Sequence, residues 1–250
     1  MLIANPIMKE NLEIILCVPG KWKDLQEITT SIISKNMNEY IFAGKILLHL
    51  PTSESFEVHI QQKDTRLRNS FKIAGEGRFS DFELDNIDNH TFVVYLIGKG
   101  GNQLNAEKVI DAGQAILNAG GLAIKVETSG KAFTKEQWAR IINCDDEAKF
   151  YEAFVVILIT ANNSVYSCGL HNIGFRDTIC DPDVEVNEAT DLVRIFICYQ
   201  LFDKPQIKPG QTFSKDAASP VFRIIEEDCK TYDVSDSFFN PFGMYHLRSI

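Results

Sequence analysis

Nothing in this sequence approaches the roughly 20 consecutive apolar residues that a membrane helix needs; the longest such run, residues 153–159, is far shorter. Positive charge is scarce as well, with 25 Lys and Arg against 34 Asp and Glu and a formal net charge of -9. Without a long-range positive field to gather phosphate backbones or anionic lipid, neither nucleic acid nor a membrane is an expected partner. The six cysteines, at 17, 144, 168, 180, 198 and 229, are scattered, and three sit inside apolar runs. That spacing gives no disulfide framework and suits small buried hydrophobes in a reducing compartment. Residues 1–9 lack a basic segment followed by an apolar one, so no secretory signal is expected and the cytoplasm is the default location. What the chain does have is 250 residues, 45% hydrophobic and 24% charged, enough for a large core and unlike collagen, a coiled coil or a disordered chain.

The opening reads βαββ. An apolar run at 12–18 is stopped by Pro19-Gly20, and a helix from Trp22 repeats apolar residues every three to four positions until Asn36. Residues 40–50 and 56–60 then read as a β-hairpin turning at Pro51 to Ser55. Residues 61–90 are polar and poorly periodic, with a short helix expected near 67–73. From residue 92 the pattern is clearer: strand, Gly98-Lys99-Gly100-Gly101 turn, helix, a Gly120-Gly121 stop and a second strand. A helix capped by Thr134 and Gln137 follows, then a strand at 154–160, a hairpin into 165–168, a buried helix starting at Asn187, and a strand at 221–225. The aromatic-rich segment 238–245 is expected to pack as a closing piece.

This element order predicts an α+β protein of two ferredoxin-like, βαββαβ-type units packed together, with antiparallel sheets and helices on one face. The halves are 1–88 and 89–250. No flexible linker composition separates them, so one compact unit is expected.

Few residues carry legible chemistry. Gly98, Lys99, Gly100, Gly101 and Asn102 lie between a strand and a helix, where backbone N–H groups can cradle an anion, although Gln103 stands where a dinucleotide fingerprint needs glycine. Ser129 and Lys131 follow a strand and read either as ligand contacts or as a solvated loop. Cys168 and His171 have C-x2-H spacing, with Asp177, Cys180, Asp181 and Asp183 nearby, but a second ligand pair is missing, so no metal site is assigned. The Cys168/His171 pair shows no oxyanion arrangement, and no catalytic residue or cofactor is assigned. His171 and Asp177 are kept with the loop residues above as candidate ligand contacts.

Several strings taken together, Gly98-Lys99-Gly100-Gly101, Gly120-Gly121, Ser129-Gly130-Lys131-Ala132 with Trp138, and the stretch from Tyr166 to Asp177, resemble the bacterial family catalogued as domain of unknown function 4261. The resemblance covers roughly residues 90–245 and implies a bacterial cytoplasmic protein, some of whose relatives are suspected immunity proteins of polymorphic toxin systems. It brings no established active site. The expected function is therefore non-enzymatic binding of a protein partner, with a basic toxin favoured by the acidic total. The alternatives are an enzyme or small-ligand binder with an anion site at 98–102, and a homodimer built through sheet faces or edges.

Overall fold

The computed structural model describes residues 12–144 and 146–250, so the N-terminal segment read above as lacking a secretory signal lies outside them. The fold is α+β, with two sheets. Strand β1 (Glu13–Gly20) is the apolar run expected there, and it lies between β5 (Phe92–Lys99) and β6 (Ala123–Val126), antiparallel to both. Helix α1 (Leu25–Lys35) starts later than the periodicity predicts, because Asp24 caps it by accepting from the Glu27 amide. Trp22 is buried ahead of the helix and donates to the Ala119 carbonyl.

The hairpin expected over 40–60 is a three-stranded meander. The chain reverses at Gly44-Lys45 to give β2 (Tyr40–Ala43) and β3 (Ile46–His49), then reverses again into β4 (Glu54–Gln62), which pairs with β5. With β7 (Lys131–Thr134) on β6, the sheet order is β2-β3-β4-β5-β1-β6-β7. Residues on both sides of position 88 thus share one sheet, and the change to the second sheet falls between β7 and the next strand.

Side chains alternate across these strands, and both faces are covered. Ile14, Leu16 and Val18 face α1 and α4 (Gln103–Asn118), whereas Cys17, Val93, Ala123 and Ala132 face α2 (Leu67–Ala74) and α3 (Asp81–Asp88). Helices therefore flank the sheet on both sides rather than one. The helix expected near 67–73 is α2. Helix α3 was unforeseen, and it starts at a capping box in which Ser80 and Glu83 satisfy each other's backbone amides. Helix α5 (Lys135–Ile142) carries the Thr134/Gln137 capping box expected from the sequence and buries Trp138.

The apolar run 153–159 divides between two elements. Its start ends helix α6 (Asp146–Phe154), and its remainder is the edge strand β8 (Val156–Ile159). The second sheet follows the order β11-β12-β13-β10-β9-β8, with β9 (Val165–Cys168), β10 (Asp177–Cys180), β11 (Thr212–Phe213), β12 (Phe222–Glu227) and β13 (Met244–Ser249). Strands β10 and β13 are parallel, so this sheet is mixed and does not repeat the first. The end of the 238–245 aromatic segment is a central strand paired on both edges. Helix α7 (Val186–Cys198), capped by Glu185 rather than Asn187, packs on this sheet and runs into a π turn at Tyr199–Asp203.

One continuous apolar cluster joins the sheets, from Ile14 and Leu16 through Ile110, Phe154 and Phe196 to Leu247. The polar joint between them is narrow. Gly174, in the left-handed region at φ 86°, comes so close to Gly101 that a Cβ there would collide with the Gly101 carbonyl. Gly210 has nearly the same φ, 85°, and open space around it. Among the described residues no helix is long and apolar enough to cross a membrane.

These two glycines separate backbone strain from contact. Gly210→Ala is expected to cost about 1 kcal/mol for the left-handed backbone alone, whereas Gly174→Ala should cost at least about 3 kcal/mol because it also forces the sheets apart. Urea unfolding of both variants checks this, and equal losses would mean that the joint is slack.

Candidate functional site

The glycine turn after β5 is where an anion was expected. Its polar groups are already in use: the Gly100 amide donates to the Leu12 carbonyl at 2.7 Å, and the Gly101 amide to the Asn172 carbonyl at 2.9 Å. The Asn102 side chain accepts from the Asn105 amide at 2.8 Å, capping α4. A cradle needs free N–H groups. Here the turn is instead the surface on which the 3-10 turn Leu170–Ile173 docks, and Lys99 points its charge to solvent. Gly100 and Gly101 thus offer no free N–H to an anion.

Lys131 is no solvated loop residue either. It begins β7, is buried, and donates from Nζ to the carbonyls of Glu152 and Val155, the latter at 2.9 Å, so that its ammonium closes the C-terminal end of α6. A cation there is favoured by the helix dipole. Burial pushes its ammonium down to about 8. The side chain also lies 5.5 Å from the Phe133 ring centroid. Nothing in this arrangement leaves Lys131 available to a ligand.

Asp177 is the hub of a buried network. Its Oδ1 accepts from the Ser167 hydroxyl at 2.9 Å and the Leu170 amide at 3.3 Å, and its Oδ2 from Asn240 Nδ2 at 2.6 Å. Ser167 Oγ in turn accepts from the Thr178 amide at 2.8 Å, and Asn240 Oδ1 from the Phe242 amide at 2.9 Å. Burial raises the carboxyl to about 7 against the pull of these donors, Asn240 foremost. Asp177 therefore ties β10 to the segment ahead of β13 and is not a ligand contact. Cys168 lies 4.0 Å from the Phe238 carbonyl and beside the Tyr232 hydroxyl, and burial pushes its thiol up. It forms no hydrogen bond with His171, so the two do not make a nucleophile and base.

His171 is different. The 3-10 turn that carries it is held by Asn172, whose Nδ2 donates to the Gly169 carbonyl at 2.8 Å and whose Oδ1 accepts from the Thr128 hydroxyl at 2.7 Å. The imidazole is only 2% exposed, and neither ring nitrogen meets a hydrogen-bond partner. Burial pushes its pKa down to about 4; the Ser237 backbone favours the charged ring slightly, but no hydrogen bond of good geometry reaches it. The ring lines a pocket of about 480 Å³ whose other walls are Leu12, Glu13 and Ile15 at the start of β1, Thr128 after β6, and the 234–241 segment with Asp236 and Phe239. The hydroxyl of Ser129, next to Thr128, is likewise buried without a partner. Buried polar groups are nearly always satisfied, and one left bare costs about 1–3 kcal/mol.

Of the nine candidate residues, then, His171 belongs to a pocket lining, Ser129 is buried next in sequence to the lining residue Thr128, and the other seven serve the fold or face solvent. The walls that the sequence did not suggest are Glu13, Thr128 and the 234–241 segment. A second pocket, of about 330 Å³, has Arg176 and Lys204 in its lining, but these are paired with Glu226 at 3.3 Å and Glu147 at 2.7 Å. Among the described residues no group of three or more His, Cys, Asp or Glu is placed to hold a metal ion.

Two outcomes are expected. Every neighbour of the Asp177 carboxylate is a donor, so Asp177→Asn turns an amide N–H toward another donor and should lower stability by about 1–3 kcal/mol, measured by urea unfolding. The folded pKa of His171 lies below its ordinary 6.5, so its contribution to stability is complete above pH 6.5 and is lost as the pH falls toward 4. Asp177, raised above its ordinary value, acts in the opposite sense over that range, so wild type must be compared with His171→Leu. The variant should gain relative to wild type by about 3 kcal/mol between pH 7.5 and pH 4, and a difference that does not change with pH would contradict a neutral buried imidazole.

No family model matches this chain, and no curated protein or solved structure matches it.

Proposed function

We propose that this chain is a non-enzymatic binding protein that takes part of a partner into the pocket at the junction of its two sheets. The observation that carries this is the pocket of about 480 Å³ itself, which draws its lining from β1, Thr128, His171 and the 234–241 segment and so joins parts of the chain far apart in sequence. Pockets of roughly 300–1,000 Å³ with a few polar groups on apolar walls are typical ligand sites. An enzymatic reading draws less support: Cys168 is a buried, protonated thiol with no base on it, and Asp177 is consumed by Ser167, Leu170 and Asn240.

The net charge of -9 favours a basic partner through faster and more selective association. The resemblance of residues 90–245 to a family with suspected immunity proteins points the same way, toward a toxin-like protein as that partner. All six cysteines are free thiols, which suits a cytoplasmic location.

The test is capture from the native cell with tagged wild type and with His171→Trp, which fills the pocket, each first shown to be folded by circular dichroism. A basic protein recovered stoichiometrically on wild type and lost from the variant is the expected result. Equal recovery on both, or an eluate with nothing specific to wild type, would overturn the proposal.

A further inference from the structure

The pocket of about 330 Å³ lined in part by Arg176 and Lys204 is separate from the His171 pocket, and the described residues of the two linings have none in common. It opens where the chain enters β10 at Arg176, against the π turn that follows α7, the stretch 204–207 and the start of β13.

Two rare backbone features meet at one of its cations. π turns are uncommon, and those that occur are frequent at functional sites. The one at Tyr199–Asp203 ends on Lys204, whose φ of 45° and ψ of 51° place it in the left-handed region. Side chains of L-residues are disfavoured there, and residues held so cluster at ligand clamps. Glycine would take this conformation without strain; a lysine stands there instead and brings its charge to the pocket.

Both cations keep solvent access and donors to spare. The Arg176 side chain is 28% exposed and meets Glu226 through Nη2, in a single contact at 3.3 Å. The Lys204 side chain is 52% exposed and meets Glu147 at 2.7 Å. Exposed pairs of this kind contribute little to stability. A guanidinium has five N–H donors and an ammonium three, so neither carboxylate exhausts its cation. What the remaining N–H groups ask for is an acceptor, and a carboxylate matches the guanidinium fork with two oxygens. A phosphate dianion would bring a second negative charge toward Glu226 and Glu147, which repel it.

The Arg176 guanidinium lies over the Tyr245 ring, 5.5 Å from its centroid, which limits how its donors can turn. Tyr245, Phe242 and Ile207 are half-buried members of the same lining and supply an apolar wall for the body of a ligand.

We infer that this pocket is a second binding site, for a small organic monocarboxylate whose head group is taken by Arg176 and Lys204 and whose body lies against Tyr245, Phe242 and Ile207. A free aromatic acid and the C-terminal carboxylate of a peptide share this chemistry.

Benzoate, benzamide and benzylamine share a ring and differ in charge. They are titrated into isotopically labelled full-length protein while the Arg176 Nε–H and Lys204 amide signals are followed by NMR. Benzoate should shift both, benzamide should bind about tenfold more weakly or worse, and benzylamine should shift neither. Lys204→Gly removes the charge and suits the left-handed backbone, so it should weaken benzoate about tenfold without lowering the urea midpoint. Arg176→Gln, first shown to be folded by circular dichroism, should weaken benzoate at least as much. N-acetyl-phenylalanine, whose carboxylate is a chain end, separates the two sources: tighter binding than benzoate assigns a peptide terminus, weaker binding a free acid. The inference is overturned if benzoate moves neither signal, if benzamide or benzylamine binds as tightly, or if either variant keeps the wild-type affinity. None of these outcomes bears on capture by the His171→Trp variant, so the proposed function is tested separately.

Discussion

The arrangement depends on one joint, where the Gly101 amide at the start of α4 donates to the Asn172 carbonyl in the 3-10 turn of the second sheet. Hydrogen bonds of this kind contribute only about 1 kcal/mol each, but this one fixes the spacing of two elements that also meet with no side chain between them. Gly100 lies within reach of Asn172, and Gly174 rides over Gly101. Because the backbones touch, the turn cannot tilt without opening the apolar cluster that runs behind it from Ile14 to Leu247. The same contact fixes where the His171 ring points, since His171 lies between residues held by the Gly169–Gly174 turn and by Thr128.

This joint also explains a limit of the sequence. A glycine-rich turn between a strand and a helix exposes the same amides whether it will hold a phosphate or another piece of the chain, and only what packs opposite decides. Composition at 98–102 is therefore silent on that choice. Local signals did much better where the physics is local: the period of α1 and α4 and the Thr134/Gln137 box are legible. The Ser80/Glu83 box of α3 carried the same kind of signal, but Leu84 and Ile87 give only a short apolar stripe among acidic neighbours, so the segment resembles a loop. At 153–159 an unbroken apolar run hides a helix end and a strand, because periodicity cannot separate two buried elements.

The pocket was illegible for a different reason. Its walls come from residues 12–15, 128, 171 and 234–241, which no window of sequence brings together. His171 and Asp177 drew attention as residue types, six positions apart, and burial pushes both toward the neutral form against different opposition. Asp177 is met by three donors, which resist the rise that burial imposes on its carboxyl. His171 is met by none, and burial without partners keeps it neutral. What separates the two is the supply of partners, which depends on the tertiary fold.

That difference bears on why the cavity persists. A void of this size at a sheet junction could close if the 234–241 segment moved inward, since filling it with apolar side chains would restore lost contacts. The segment is instead held away by commitments of its own: Asn240 is bound to Asp177 and the Phe175 carbonyl, Asp236 turns back onto the Phe238 amide, and Tyr232 is bonded to Tyr166 at 2.9 Å. The buried carboxylate of Asp177 thus does more than join two strands. By anchoring Asn240, which lies between the lining residues Phe239 and Pro241, it fixes the far wall of the pocket.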